Sequence, residues 1–354
     1  MSRRTTLLPV AGALSAVLLL AACGGDSGGD SGSTGGGDAS SAEILLPFPE
    51  GLPLAPVVIA QTNGFFEENG ITDVTISVAD GSGFLSQQLV AGNAEFAVMG
   101  SADIAVAASK RPDVRVLFCN QVNNVYRIVA TEDSGITDIQ GLAGNSLGIT
   151  EPGGGENQYV QAALADAQLQ TPGDLTVLPV GAAGPQALAA INDGKIQAYS
   201  SSFPDIASLA ASGVAWVDIT PERYSAVPGT CMATTQEVLD SPDGLERAKA
   251  VSRSWVQAQY YILENEDEAF EAICDRIASA CENEEAAAAL YDEALNVIRP
   301  DSEGQKPGEV ALTSWETVAA ILGEAGTVPA DLDLTDVVSG ETIDEVVAFA
   351  YEGL

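Results

Sequence analysis

Histidine is absent from this 354-residue chain, and basic side chains are scarce, with 14 Lys and Arg against 50 Asp and Glu. Without histidine, the chain cannot form zinc sites with imidazole ligands, histidine-ligated haem, or Ser-His and Cys-His nucleophilic centres. The sequence also lacks a G-x-x-x-x-G-K-[ST] phosphate loop. The formal net charge of −36 repels nucleic acid. We therefore predict a protein that is not an enzyme, uses no cofactor and binds no nucleic acid.

Long apolar runs are equally scarce. One run, Leu7 to Leu20, follows two arginines, and no later stretch is long and apolar enough to span a membrane. A basic start, a short apolar run and small residues are typical of a secretory signal. The run ends in Leu20-Ala21-Ala22-Cys23, which resembles the bacterial lipobox. This resemblance implies a signal peptide over residues 1–22, lipid such as palmitate on Cys23, and attachment to the extracytoplasmic face of the cell membrane. The alternative is a plain signal peptide with an incidental cysteine.

Residues 23–42 comprise Cys23 and a Gly/Ser-rich stretch with almost no apolar side chain. Such a composition cannot bury enough surface to order itself, so we predict a flexible linker. A linker of this length spans about 25 Å, which would let a folded body move over a membrane surface.

The four remaining cysteines are Cys119, Cys231, Cys274 and Cys281. An even number in an oxidising compartment favours two disulfides, and the positions favour one long-range bridge, Cys119–Cys231, and one local bridge, Cys274–Cys281. An unbroken helix would hold the local pair about 10 Å apart, so the helix must end between them. Because no Cys-x-x-Cys spacing is present, we predict no metal site.

Strand-like and helix-like segments alternate twice, from Glu43 to Phe118 and again from Tyr126 to Ile219. This pattern predicts an α/β fold with parallel, doubly wound sheets in two lobes. Amphipathic segments after Leu245 are expected to complete the first lobe as C-terminal helices. We predict lobe I over residues 43–122 plus 231–354 and lobe II over residues 123–230, joined by a hinge of two crossovers. The Cys119–Cys231 bridge would lie at that hinge.

The two alternating regions resemble each other in detail. Residues 78–101 and 179–201 both contain a strand, a glycine turn, a helix, a polar turn and a second strand. Gly81 corresponds to Gly181, and Ser101 corresponds to Ser201. The pattern indicates a shared architecture, and the alternative is generic α/β periodicity.

The segment PLAPVVIAQTNGFFEENGITDVTIS is similar to the opening of solute-binding proteins of the nitrate/taurine/thiamine-pyrimidine transporter class. In that class a P-x-x-x-A-x-x-x-G-F-F helix precedes a strand, and the matching residues are Pro56, Ala60, Gly64, Phe65 and Phe66. The passages LVAGNAEFAVMGSADIAVAA and RIVATEDSGITDIQGLAGNSLGI are similar to later parts of the same class. The resemblance implies a type II periplasmic-binding-protein fold, a monomer that closes over a small-molecule ligand and docks on an ABC permease with its ATPase.

Three alternatives concern the type of function. A binding protein that serves a sensor instead of a permease is equally compatible with the sequence. Fungal thiamine-pyrimidine synthases look like the same fold, but they use an active-site histidine, which this chain lacks. A purely structural lipoprotein is contradicted by the glycine-rich turns at the predicted strand ends.

Ligands of open α/β sheets bind at the carboxyl ends of the strands. These ends and the helix starts that follow them supply the candidate ligand-binding residues. They are Phe48, Pro53, Asp80, Gly81, Ser82, Gly100, Ser101, Tyr126, Thr150, Gly153, Gly154, Gly155, Glu156, Tyr159, Phe203 and Asp205.

The segment TEPGGGENQYV is the most informative of these ends. Its glycines expose backbone N–H groups at a helix start, which suits an anion. Glu156 would occupy that positive field itself, or simply cap the helix. Aromatic residues at the predicted rim favour a neutral or weakly cationic ligand, such as a pyrimidine or a flavin-like vitamin precursor; they are Phe48, Phe84, Tyr126, Tyr159 and Phe203. The alternative ligand is taurine, an alkanesulfonate or nitrate.

Overall fold

Two five-stranded sheets organise the computed structural model, which describes residues 39–79, 81–225, 227–300 and 304–354. These residues belong to one compact unit. The predicted signal peptide, Cys23 and the linker up to residue 38 lie outside the described residues, as does Asp80. Among the helices of the described residues, none has the length and apolar character needed to cross a membrane.

The strands of the first sheet are β1 (Ser41–Leu46), β2 (Asp73–Val78), β3 (Phe96–Gly100), β4 (Val114–Cys119) and β10 (Thr230–Thr235). Their spatial order is β2-β1-β3-β10-β4. β1 is parallel to β2 and β3, whereas β10 is antiparallel to both of its neighbours. Every residue of β3 and β10 is buried, as expected for central strands covered on both faces.

The strands of the second sheet are β5 (Tyr126–Thr131), β6 (Ser146–Ile149), β7 (Thr176–Pro179), β8 (Ala198–Ser202) and β9 (Trp216–Asp218). Their spatial order is β7-β6-β8-β5-β9. β6 is parallel to β7 and β8, and β5 is antiparallel to β8 and β9. The two sheets therefore have the same arrangement, in which the fourth strand in spatial order is antiparallel to the third.

The antiparallel strands correct the expectation of purely parallel lobes, although the α/β class with two sheets is confirmed. β5 is the first strand after the chain leaves the first sheet, and β10 is the first after it returns. In each case the chain arrives at the end of the sheet where the parallel strands finish. The arriving strand must therefore run in the opposite direction.

Helices cover both sheets and extend to the C-terminus. They are α1 (Ala55–Thr62), α2 (Phe65–Glu68), α3 (Gly81–Ala91), α4 (Ser101–Lys110), α5 (Gly155–Asp166), α6 (Pro185–Asn192), α7 (Phe203–Ala211), α8 (Gln236–Leu239), α9 (Pro242–Glu264), α10 (Glu266–Arg276), α11 (Glu284–Ile298), α12 (Leu312–Glu324), α13 (Thr335–Val338) and α14 (Glu341–Ala350). The long helix α9 contacts α1 and α14, and α12 contacts both α4 and α5. The C-terminal helices therefore complete the first sheet's layer, and α12 also reaches the helix that follows β6.

The P-x-x-x-A-x-x-x-G-F-F stretch from Pro56 to Phe66, expected as one helix, is divided between two helices. α1 ends at Thr62, and Gly64 adopts a left-handed conformation with φ 75° before α2 begins. Glycine adopts this conformation without the steric penalty of a Cβ. The break allows Phe65 and Phe66 to be buried in the core beside α9.

Both predicted disulfides are present. Cys119 on β4 is paired directly opposite Cys231 on β10, with 3.8 Å between their Cα atoms. The Cα atoms of Cys274 and Cys281 are 5.5 Å apart. α10 ends at Arg276 and a short 3-10 turn covers Ala278–Cys281, so the helix ends between the two cysteines as the geometry requires.

One apolar core cluster extends from the first sheet to the second. It contains Met99 and Ile104 of the first layer, Ile149 and Val160 of the second, and Trp315 of α12. The layers that carry the two sheets are therefore packed together through α4, α5 and α12, and this packing leaves an open space beside the strand ends.

Candidate functional site

A cavity of about 480 Å³ lies between the two sheets, at the ends of their parallel strands. Its wall combines residues that follow β1, β6, β7 and β8 with the first turns of α3, α5 and α7 and with both connections between the sheets. Small-molecule sites have volumes of about 300–1,000 Å³. The cavity thus has the size and the position expected for a ligand site in open α/β sheets.

The structure brings ten of the predicted ligand-binding residues to this cavity. They are Phe48, Gly81, Ser82, Tyr126, Thr150, Gly154, Gly155, Glu156, Phe203 and Asp205. Their common location is what a shared binding site requires, and their role in binding stays a prediction.

Five other predicted residues do not line the cavity: Pro53, Gly100, Ser101, Gly153 and Tyr159. The Tyr159 hydroxyl donates to Ser101 Oγ at 2.7 Å, and Ser101 Oγ donates to the carbonyl oxygen of Pro228. Tyr159 is buried, with 3% of its surface exposed. Ser101 and Tyr159 therefore contact each other behind the cavity wall, and they support the cavity without facing it. Of the predicted aromatic rim, Phe84 is 46% exposed and also lies outside the wall.

Ten lining residues were missing from the predicted set. They are Pro47, Gln121, Val125, Glu151, Gly181, Ala182, Ser201, Ser202, Pro204 and Thr230. Most of them follow strand ends, where the same rule would have found them. Gln121 instead lies on the first connection between the sheets, and Thr230 begins β10, where the second connection ends. The Thr230 backbone N–H donates to Gln121 Oε1 at 3.1 Å, and the Gly229 backbone N–H donates to the Gln121 carbonyl oxygen at 3.1 Å. The two connections thus form one hydrogen-bonded part of the cavity wall.

Glu156, the second residue of α5, is 4% exposed. Its Oε1 accepts a hydrogen bond from the Thr150 backbone N–H at 3.0 Å and another from Thr150 Oγ1. Burial raises the pKa of Glu156 above its ordinary value, and the hydrogen bonds from Thr150 oppose that rise. The carboxylate thus occupies the helix start itself, as the sequence suggested.

Asp205 is the third residue of α7 and also lies in the first turn of its helix. Its Oδ1 accepts from the Ala183 backbone N–H at 3.0 Å, and its Oδ2 accepts from Ser201 Oγ. These bonds connect the loop after β7 to the end of β8. Asp205 therefore has a fixed orientation at the cavity wall.

Asp103 lies in the first turn of α4, behind the wall, and is 3% exposed. Its Oδ2 has no hydrogen-bond partner among the described residues. A Cβ added to Gly155 would lie 2.7 Å from this oxygen and would overlap the Tyr126 hydroxyl. Burial, followed by the negative charges of Glu156 and Glu151, raises the pKa of Asp103 to about 7. The carboxyl is thus held in an environment that disfavours its charge.

Three helices that begin at or behind the cavity each carry one acidic residue in the first turn: Asp103 of α4, Glu156 of α5 and Asp205 of α7. An acid in this position is stabilised by the helix dipole. The positive ends of these helices are therefore already matched by carboxyl groups of the protein. Among the described residues that line the cavity, none is Lys or Arg.

The lobes touch beside the cavity at two glycines. A Cβ on Gly83 of α3 would overlap the carbonyl oxygen of Gly153, whereas a Cβ on Gly153 would meet no atom within 4 Å. Together with the Ser101–Tyr159 hydrogen bond, this contact joins the layers of the two sheets around the cavity. The two layers are therefore in direct contact beside the cavity.

Several solved structures share this fold. A protein from Bordetella bronchiseptica RB50 is 22% identical with a TM-score of 0.69, covering 87% of this chain and 96% of that one. The alkanesulfonate-binding protein SsuA from Xanthomonas axonopodis pv. citri, bound to MOPS, is 14% identical with a TM-score of 0.64, covering 86% and 99%. The nitrate-binding protein NrtA from Synechocystis PCC 6803 is 18% identical with a TM-score of 0.62, covering 88% and 89%. These similarities establish the fold of periplasmic binding proteins.

No curated protein matches the sequence significantly. The profile of the family described as NMT1/THI5 like matches residues 53–269, which is more than half of the chain. That range includes both sheets except β1, and all of the cavity wall except Pro47 and Phe48. The predicted resemblance to the nitrate/taurine/thiamine-pyrimidine class is thereby confirmed, and the chain belongs to the NMT1/THI5-like family, with the fold of a periplasmic binding protein.

Proposed function

We propose that this protein is the solute-binding component of an ABC importer and captures a small organic molecule by closing its two lobes. The observation that carries this proposal is the cavity, whose wall is contributed by both sheets. A ligand that contacts both lobes at once stabilises the closed form over the open one. The structural neighbours include an alkanesulfonate-binding protein and a nitrate-binding protein, which is consistent with this role.

The ligand that we favour is a pyrimidine or a flavin-like vitamin precursor. Three aromatic side chains line the cavity, namely Phe48, Tyr126 and Phe203, and they offer ring faces and edges for stacking. Gln121 and Ser82 provide polar groups beside them. A volume of about 480 Å³ accommodates a substituted ring and is far larger than nitrate requires.

A sulfonate or nitrate ligand is less consistent with the site. An anion needs backbone N–H groups, a helix start or a basic side chain. Here the carboxylates of Glu156 and Asp205 already occupy the helix starts that reach the cavity, and the lining residues include no Lys or Arg. An additional anion would be repelled by these carboxylates.

Thermal unfolding in the presence of candidate ligands tests the proposal. The chain without residues 1–38 is melted with aminopyrimidines, flavins, taurine, alkanesulfonates and nitrate. A ligand at 1,000 times its Kd adds about 4 kcal/mol, which raises the Tm by several degrees. A pyrimidine or flavin shift supports the favoured ligand, and a sulfonate or nitrate shift overturns it while leaving the solute-binding role in place. If no compound changes the Tm, the proposed ligand classes are wrong.

The proposed partners are a membrane permease and its ATPase, with the protein itself a monomer attached through lipid on Cys23. Metabolic labelling with palmitate tests the anchor. We expect label on the wild-type protein and none on Cys23→Ser, which should appear in the culture medium. Labelled Cys23→Ser would contradict the assignment. Ligand uptake by membrane vesicles that contain the permease would distinguish an importer from a sensor, since a sensor gives no uptake.

A further inference from the structure

We propose that the ligand carries a protonated nitrogen, bound beside Glu156 and Asp205, and that the cavity selects this cation over neutral and anionic compounds of the same shape. This inference rests on the proposed function and names the charge of the substrate. It differs from the ligand preference stated above, which depends on the aromatic rim and is satisfied equally by a neutral ring.

The cavity wall is rich in acidic side chains. Glu151, Glu156 and Asp205 line the cavity, and the described lining residues include no Lys or Arg. The ion pairs found among the described residues use other acids, for example Asp166 with Arg223 and Glu95 with Arg247. The described part of the wall therefore carries acidic groups and no basic side chain, and clefts lined by one sign of charge concentrate the opposite charge.

A further acid, Asp103, lies behind the wall and does not line the cavity. Its Oδ2 is buried and has no hydrogen-bond partner among the described residues. This oxygen lies against Gly155, which itself lines the cavity. A buried carboxyl group without a partner is costly. A positive charge on the other side of Gly155 would lower that cost, and no described side chain of the wall supplies one.

The carboxyl groups of Glu156 and Asp205 are held in place and can accept further hydrogen bonds. Glu156 Oε1 and both oxygens of Asp205 accept hydrogen bonds from the protein, which holds the two groups in place. Each carboxylate oxygen can accept more than one hydrogen bond. Charged N–H groups form shorter and stronger hydrogen bonds with carboxylates than neutral donors do. Aromatic faces such as those of Tyr126 and Phe203 also attract cations.

The ligand class that fits these observations is an aromatic or heteroaromatic ring with a protonated amine or amidine group. The ring would contact the aromatic side chains, and the cationic group would reach the carboxylates. A nucleotide, a sulfonate or another anion would bring its charge against Glu156 and Asp205.

A matched series of compounds tests the proposal by calorimetry and thermal unfolding. The probes are aminomethylpyrimidine, hydroxymethylpyrimidine and pyrimidinylmethanesulfonate, together with the same three groups on a benzene ring. The amine and the alcohol are nearly equal in size and differ in charge, and the larger sulfonate makes the charge negative. We expect the amine of each ring to bind about tenfold or more tightly than the alcohol, and the sulfonate not to shift the Tm.

The outcomes separate this inference from the proposed function. Equal binding of amine and alcohol, or tighter binding of the sulfonate, overturns the cation selectivity and leaves the solute-binding role. A preference for the amine on benzene alone supports the cation inference and overturns the pyrimidine ligand. If none of the six compounds binds, both the cation selectivity and the proposed class of ring-containing ligand are wrong.

A variant assigns the selectivity to a residue. Asp205→Asn keeps an oxygen that can accept from Ala183, so the fold of the loop is retained. We expect the ratio of amine to alcohol affinity to fall about tenfold, whereas the exposed control Asp133→Asn leaves the ratio unchanged. An equal loss of affinity for amine and alcohol would mean that Asp205 only supports the structure, and would overturn its role in recognising charge.

Discussion

The two lobes meet the cavity with the same turn but with different chemistry. Gly81, the first residue of α3, and Gly181, ahead of α6, have nearly identical left-handed conformations, with φ 81° and φ 82°. The first lobe then contributes neutral residues to the wall, such as Phe48 and Ser82, while the second contributes all three of its acids. The acid of the first lobe, Asp103, is withdrawn behind the wall. The comparison indicates that a shared backbone plan supplies the shape of the site and that one lobe supplies its charge.

The lobes also differ in covalent support. Both disulfides belong to the first sheet or to the helices around it, and residues 126–218 of the second sheet contain no cysteine. The first lobe is therefore braced covalently, whereas the second depends on packing alone.

Removal of the hinge disulfide should give the largest effect. Cys119→Ala with Cys231→Ala opens a loop of 112 residues, and the loop-entropy model predicts a loss of about 5 kcal/mol of unfolding free energy. The matched pair Cys274→Ala with Cys281→Ala opens a loop of 7 residues and should cost about half as much. Urea unfolding of the two double variants measures the difference. Equal losses would show that strain or packing, not loop closure, determines the contribution.

The buried acid of the first lobe should make stability fall as the pH rises. Because the folded pKa of Asp103 is about 7 and its ordinary value is 3.8, the folded protein retains a proton that the unfolded chain releases. The penalty is absent below about pH 4, grows between pH 4 and 7, and reaches up to about 4 kcal/mol above pH 7.

Asp103→Asn should remove most of this slope and raise the Tm above pH 7, as measured by thermal melts across this pH range. A remaining slope of the same sign is expected from Glu156, whose pKa is also raised by burial. The groups that face Asp103 from neighbouring elements are Glu151, Glu156, Tyr126 and Tyr159, and they supply no positive charge. A variant with the wild-type slope would contradict the assignment to Asp103.

One added methyl group should disrupt the contact between the lobes at Gly83 and Gly153. Gly83→Ala places a Cβ on the Gly153 carbonyl oxygen, so the lobes cannot close fully and ligand affinity should fall about tenfold or more. Gly153→Ala, in the same contact, has open space around its Cβ and should bind within about twofold of wild type. Calorimetry with the best ligand of the panel compares them. Equal affinities for the two variants would mean that closure does not require this contact.

The repeated turn predicts the smallest effects. Gly181→Ala should lose about 1 kcal/mol of unfolding free energy, since alanine is strained at φ 82° and its Cβ would otherwise have open space. Gly81→Ala should lose slightly more, because its Cβ would also lie 3.3 Å from Glu151 Oε1. Denaturant unfolding of both variants tests whether the two turns are equivalent. A loss of unfolding free energy in only one of the two variants would contradict the shared architecture.

Much of the fold was predictable because its signals are local. The alternation of strands and helices, the Gly turns and the need for α10 to end before Cys281 all depend on residues a few positions apart. The same holds for Glu156, whose place at a helix start follows from the sequence around it. The predicted site was less complete because a strand-end rule identifies an edge of a sheet and not the side chains that turn toward the cavity. Ser101 and Tyr159 illustrate the difference, since each satisfies the rule but they bond to each other.

The sequence by itself determined the α/β class, the favoured pairing of the cysteines, the absence of histidine chemistry and the place of Glu156 at a helix start. Only the tertiary structure decided that β5 and β10 run antiparallel, that Gln121 and Thr230 share the wall, and that no described basic side chain enters it. The physical reason is the distance over which each feature acts. Helix starts and strand patterns are set by neighbouring residues, whereas the cavity is set by contacts between segments separated by 58 or 109 positions.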